Sequence, residues 1–356
     1  MPPQTVSQSP VPSRAVPSQP YPNSSGLMGS AGSAPVQADT QQPASPVRQM
    51  ADLLKPALGE QQAGLGNLFA QVGTLAAAQS AGKVSLPDPV VRAMQQILGL
   101  RLNTAQVPTG KDLQQAVRMS GQFREAQLAL PTGGSGQTLP DLKSMLISFR
   151  SLLQQFGANA QVSRPANQPN VPSRQGSPAQ QAQQLTGGYL SSVAQQNLQA
   201  LLKDTDSALA RIRLTQLVNT GASSDDASRV SSRPMDLVLE LPLSLGQETA
   251  VMQMQIGRDG GGAADDDENE EAWRLRFALD LTATGPLEAA VSLRGGGTFV
   301  SLWVDRKETF DDLNAVRETM EAAFADAGLD LQELRLVRGL PPKTAAKYGT
   351  MVNRQS

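Results

Sequence analysis

The chain has 356 residues, with 30 Lys+Arg against 32 Asp+Glu and a formal net charge of −2. That excludes a strongly basic nucleic-acid binder, because neutralising phosphates takes clustered Lys and Arg. Neither Cys nor His occurs, which excludes disulfides, thiolate nucleophiles, Cys- or His-ligated metals and every Ser-His-Asp or Cys-His mechanism.

Residues 1–50 hold 10 of the 25 prolines, among Ser, Gln and Gly. Such a segment buries too little apolar surface to offset chain entropy and reads as disordered. It carries Arg14, Asp39 and Arg48 and no apolar run of a signal peptide's length, so a cleaved secretory signal is not expected. Residues 51–156 read as a weakly helical region. Its least polar stretch, Gly64 to Gly82, is interrupted by Asn67, Gln71 and Gln79 and is too polar to span a membrane. Val90, Val91, Met94, Ile97 and Leu98 recur at helical spacing, and Leu113, Val117, Phe123 and Leu128 suggest another helix. The strongest helical stripe runs from Asp141 to Phe156, between Pro140 and Gly157. Whether these helices fold alone or with a partner is open at this level.

Residues 157–184 again collect Pro, Gln, Asn and Ser and read as a disordered linker. Within 185–220, Leu198, Leu201, Leu202, Leu209, Ile212 and Leu217 form an amphipathic helix, and 221–232 a polar loop. From Met235 the period becomes two. Leu237, Leu239 and Leu241 alternate, then Met252, Met254 and Ile256, then Trp273 to Leu281, Leu287 to Leu293, and Val300 to Val304. The stripe Phe310, Leu313, Val316, Met320 and Phe324 then returns to helical spacing and predicts a core-facing helix. Thr309 and Asp312 look like its capping box and Gly328 its C-terminal cap. A last strand is expected near Leu334 to Val337, before Pro341-Pro342 and a loose tail over 341–356. Residues 235–340 therefore predict one compact α+β domain of antiparallel strands with one main helix and a returning strand. The part before it is largely disordered with short helical segments.

Little here reads as chemistry. Asp265, Asp266, Asp267, Glu268, Glu270 and Glu271 lack the calcium-loop pattern and read as a solvated hairpin loop. Gly295-Gly296-Gly297 has no following Gly-Lys-Ser/Thr and reads as a tight turn. Glu288 and Asp280, an acid and a base in principle, are placed on an exposed strand face, and Arg274, Arg276 and Arg294 share a face that reads as solvated rather than as a patch for an acidic partner. No catalytic, metal or cofactor-binding residue is assigned.

The C-terminal block resembles the C-terminal domain of the flagellar hook-length control protein family. The resemblance runs through Trp273-Arg274-Leu275-Arg276-Phe277, Gly285-Pro286-Leu287-Glu288-Ala289, Val291-Ser292-Leu293, Val300-Ser301-Leu302-Trp303 and Ala327-Gly328-Leu329. Ser120-Gly121 with Phe123 and Glu125, Asp141-Leu142-Lys143, Ala210-Arg211 and Gln216-Leu217 are weaker upstream matches. The family's usual Leu before the turn glycine is Thr284 here.

The resemblance implies an exported, non-enzymatic tape that ends hook growth. It further implies a switch of type III export from hook-type to filament-type substrates. The expected partners are the cytoplasmic domain of the export-gate switch protein, and hook and hook-cap proteins during export. No nucleic acid, membrane insertion or cofactor is implied, and a monomer is expected. The chain would be cytoplasmic before export and then secreted through the flagellar apparatus. About 230 residues, fully extended, would reach on the order of 760–830 Å. Gly285, Pro286, Leu287, Val291, Leu293 and Leu329 are the residues to which the resemblance assigns partner contact. Val291 and Leu293 fit a plain core role equally well. The competing readings are a secreted structural or adhesive protein with a disordered stalk, against which no fixed-period repeat is found, and a carboxylate-based enzyme in 235–340, which requires a pocket of paired acids.

Overall fold

The computed structural model describes residues 46–129, 140–159, 169–174, 188–220, 235–246, 248–259 and 272–341, all within one compact unit, Ala44–Ser356. The acidic run 265–271, the polar loop 221–232, the tail after Pro341, most of the 157–184 linker and residues 1–45 lie outside the described residues.

Among the described residues seven helices precede the main sheet: α1 (Pro46–Gln61), α2 (Leu65–Ser80), α3 (Asp88–Leu98), α4 (Gly110–Met119), α5 (Arg124–Ala129), α6 (Leu142–Gln155) and α7 (Ala194–Asn219), with a short strand β1 (Leu102–Asn103) after α3. Their ends follow local chemistry. Thr109 and Asp112 form a reciprocal capping box at α4, and Asp141 and Ser144 do the same at α6. Gly157, at φ 80°, ends α6, and the Ala158 amide reaches back to the Leu153 carbonyl.

The helical stripes close one core. Leu68, Phe69 and Val72 of α2, Val90, Met94 and Ile97 of α3, and Leu146, Phe149 and Leu153 of α6 pack around Leu201, Leu202 and Leu209 of α7. Val251 of the sheet belongs to the same cluster. The helices of 65–155 therefore fold against α7 and the sheet.

Among the described residues the sheet has seven strands, in chain order. Strands β2 (Met235–Leu245), β3 (Glu248–Asp259), β4 (Ala272–Leu281), β5 (Gly285–Arg294) and β6 (Gly297–Val304) form an antiparallel meander, and β7 (Asp330–Arg338) pairs parallel to β6. Two helices, α8 (Lys307–Ala315) and α9 (Arg317–Asp326), make that parallel crossover. Each predicted strand is present. Gly295 and Gly296, at φ 55° and 72°, form the two-residue hairpin turn between β5 and β6.

Three local expectations are corrected. The Phe310–Phe324 stripe is not core: the helix breaks at Val316 and no residue of α8 or α9 is buried. Two short helices lying on the last strands of a sheet keep solvent on most sides. Thr309 caps nothing, since Arg306 precedes the helix without a side-chain cap bond and the Thr309 hydroxyl donates to the Thr284 carbonyl at 2.9 Å. Glu288 is 2 % exposed rather than solvated. It ends a buried row, Glu240, Gln253, Ala278 and Glu288, that crosses four strands in register. Opposed residues share a face, and this row starts where α7 covers β2.

At that point the Arg211 guanidinium lies 2.7 Å from a Glu240 carboxylate oxygen, both side chains fully buried. Arg211 also donates to Gln62 Oε1 at 2.7 Å and to the Asn170 carbonyl. Gln62 Nε2 donates to the Pro169 carbonyl and Gln255 Nε2 to the Ser173 carbonyl. Within the Pro-rich stretch read as a linker, residues 169–174 are thus strapped to α7, to the α1–α2 junction and to β3.

One half-buried carboxyl in the helical layer is a pH handle. Burial pushes Asp204 of α7 up to about 6, against the opposing pull of Lys203. Its unfolded value is about 3.9. Between these values the folded state binds more protons, so this group's contribution falls as pH rises from about 4 to about 6. Asp204→Asn is expected to raise stability at pH 7 by up to about 3 kcal/mol. The gain should vanish below about pH 4 in paired thermal melts. A gain independent of pH would refute the assignment.

Candidate partner-docking surface

Strands β4 and β5 meet with Trp273 opposite Leu293, Leu275 opposite Val291, Phe277 opposite Ala289, Leu279 opposite Leu287 and Leu281 opposite Gly285. Period-two alternation puts all these on one face. That face is sealed at both ends. Towards β2 and β3, Leu239, Leu241, Met252 and Met254 are buried in a cluster that includes Leu113, Ala116 and Val117 of α4. Towards β6 and β7, Val300, Val304 and Leu334 are buried beside the α8–α9 crossover.

Between the sealed ends Leu275, Phe277, Leu287 and Val291 are only half-buried. Trp273 and Leu293 are 41 % and 38 % exposed. The Arg258 guanidinium lies 5.8 Å from the centre of the Trp273 ring. A contiguous apolar strip ending in Trp and Arg has the composition of an interaction surface.

The turn that joins these strands is held from outside. Arg306 donates to the Thr282 and Ala283 carbonyls at 2.9 and 3.0 Å. Thr309 holds the Thr284 carbonyl, and the Thr282 hydroxyl donates to Glu248 at 2.8 Å. Gly285 sits at φ 71°, and a Cβ there would stand 2.5 Å from Arg306 Nε. The turn thus uses the carbonyl of Thr284, which any residue supplies, so Thr in place of the family's Leu leaves this clamp intact. Sequence reading missed Arg306, because an Arg at a helix start carries no signal of a turn more than twenty residues earlier.

The six residues assigned to partner contact divide. Gly285, Leu287, Val291 and Leu293 share the apolar face. Pro286 points to the opposite face, across from Asp280. Leu329 lies in the link from α9 to β7, its amide bonded to the Phe324 carbonyl.

The weaker upstream matches converge on a second place. Lys143 Nζ is ion-paired with Glu125 and donates to Gln216 Oε1 at 2.6 Å. Gln216 Nε2 reaches the Gly121 and Gln122 carbonyls and Glu125. Burial raises the Glu125 carboxyl, but the Lys143 hydrogen bond and charge outweigh it and hold the group below its usual range. This knot joins α5, α6 and α7. Arg211, another of the matched residues, holds the buried pair described above.

Glu288 and Asp280 lie diagonally across β4 and β5 on the face opposite the apolar strip. Among the described residues no group of three or more acids is placed to hold a metal ion, and no helix is long and apolar enough to cross a membrane.

The class of protein these observations define is an α+β sheet domain with a half-covered apolar face, backed by a helical layer. Residues 261–344 match the family model described as flagellar hook-length control protein FliK. That match spans the last part of the sheet and leaves the rest of the chain outside it. The match takes in β4 to β7, whereas β2 and β3, which join the sheet to the helical layer, precede it. No curated protein and no solved structure matches the chain.

Proposed function

We propose that this chain is an exported, non-enzymatic regulator that ends hook growth and switches type III export from hook-type to filament-type substrates. Its docking surface is the strip of Leu287, Val291 and Leu293, with Trp273 at the exposed end. Its target is the cytoplasmic domain of the export-gate switch protein. The observation that supports this reading is the half-covered apolar strip inside the segment that matches the hook-length control family. The clamped turn fixes β4 against β5, so the strip is presented rigidly and a partner orders little on binding.

In the same reading the segment before the sheet is the tape, and it passes hook and hook-cap proteins on its way out of the cell. The helical layer would have to unravel for export and measurement. The absence of Cys, and hence of disulfides, favours this.

The test is hook length and filament assembly in cells. Deleting residues 235–340 is expected to give overlong hooks without filaments. Leu293→Glu should reproduce that phenotype while the purified variant melts like the parent, since Leu293 is exposed. Normal hooks with filaments in the deletion strain would sink the whole reading. A normal phenotype for Leu293→Glu alone would remove the strip as the docking surface.

A further inference from the structure

Strand β7 ends the sheet among the described residues, pairing with β6 on one side. A groove of about 730 Å³ beside it meets every residue from Leu329 to Leu336, together with Arg317, Glu321 and Ala325. Successive strand residues point to opposite faces. A groove that touches all of them therefore runs along the open edge of the strand. Such an edge offers unpaired N–H and C=O groups to another chain.

The sequence of β7 says which chain. From Asp330 to Arg338 it reads Asp-Leu-Gln-Glu-Leu-Arg-Leu-Val-Arg, acidic first and basic last. Asp330, Glu333, Arg335 and Arg338 are all exposed. Turn a second copy antiparallel about Leu334, and Glu333 of each copy faces Arg335 of the other. Arg338 then faces the end that carries Asp330, beyond the register shift between β6 and β7. Centring on Glu333 or Arg335 sets like charges opposite each other, and centring on Gln332 or Leu336 breaks both pairs. β7 carries neither Lys nor Pro, and its charges are of both signs.

Arg317 Nη2 donates to the Leu334 carbonyl at 2.6 Å. A carbonyl has two lone pairs, so this bond leaves room for an incoming amide.

We infer that β7 pairs antiparallel with β7 of a second copy about Leu334, giving a two-fold dimer whose sheet runs through both copies. The contact is isologous and closes on itself. It departs from the monomer expected from the sequence, and it stands independently of the export reading. A single strand pair buries little area, so the dimer is a weak, reversible one.

The test is sedimentation velocity of the full chain from about 1 µM to about 1 mM at low salt. A concentration-dependent dimer is expected. Glu333→Arg alone and Arg335→Glu alone each turn two attractive pairs into two repulsive ones and should weaken it by about tenfold or more. The double swap restores opposite charges and should return the affinity to within about threefold of the parent. Thermal melts of the variants should match, since all these changes are at exposed positions. A monomer throughout would overturn the inference and leave the edge to an extended segment of another protein. A dimer indifferent to the single swaps, or a double swap no better than either single one, would also overturn it.

Discussion

Replacing Arg211 by alanine is expected to cost about 3–5 kcal/mol of folding stability, because it takes the Arg211 charge away from the buried Glu240 carboxylate. Neither side chain of the pair reaches solvent. The same deletion strips the acceptors on Gln62 and Asn170 of a shared donor, each a further desolvation loss. Since a domain is stable by only about 5–15 kcal/mol, this change should lower the urea midpoint strongly without altering the slope. Arg211→Met with Glu240→Leu should be clearly milder than Arg211→Ala, because no buried charge is then unpaired. Gln62 and the Asn170 carbonyl would still lose the Arg211 donor, so the double variant should not reach parental stability. A loss under about 1 kcal/mol for Arg211→Ala would mean that the pair is not closed in solution.

Gly121→Ala is expected to cost about 2–4 kcal/mol, from two separate sources. Gly121 sits at φ 83°, where a Cβ is strained against the backbone, and that Cβ would stand 2.7 Å from the Lys143 amide nitrogen and Cβ. Backbone cannot swing aside as a side-chain tip can, so α6 would be pushed away from the loop after α4. The knot of Glu125, Lys143 and Gln216 would loosen with it. Gly82→Ala isolates the first source. Gly82 has φ 66° with nothing within 4 Å of a Cβ, so only the left-handed backbone penalty of about 1–2 kcal/mol applies. Chemical unfolding of the two variants side by side reads the difference. Equal losses would mean that the close approach to Lys143 relaxes freely.

The sheet was legible because its strands are half-buried. Alternation such as Trp273, Leu275, Phe277, Leu279 and Leu281 arises only where one face meets apolar neighbours and the other meets polar ones. Helices α3, α6 and α7 were legible for the matching reason at their own period. The crossover misled, since Phe310 to Phe324 has the spacing of a core helix but covers only β6 and β7 at the sheet's end. Spacing reports which face is apolar, not how much lies on top of it.

Of the candidate surface, the shared face of Leu287, Val291 and Leu293 follows from counting by twos along β5. Its half-open state does not. That depends on α4 stopping over β1 and β2 and on α8 and α9 lying against β7, and both are distances between segments far apart in the chain. The same holds for Glu288, whose burial comes from its register with Ala278, Gln253 and Glu240. It holds equally for Arg306, which reaches a turn that lies beside it only after β6 has formed.

By itself, the sequence determined the period of each element, the glycines its tight turns require and the chemistries that the absence of Cys and His forbids, because these are properties of neighbours along the chain. Only the tertiary structure decided that the helices close on α7 and the sheet, that Arg211 meets Glu240, and that one strip of the sheet stays half-open. Those outcomes depend on which distant surfaces exclude water from one another, and no local pattern encodes that.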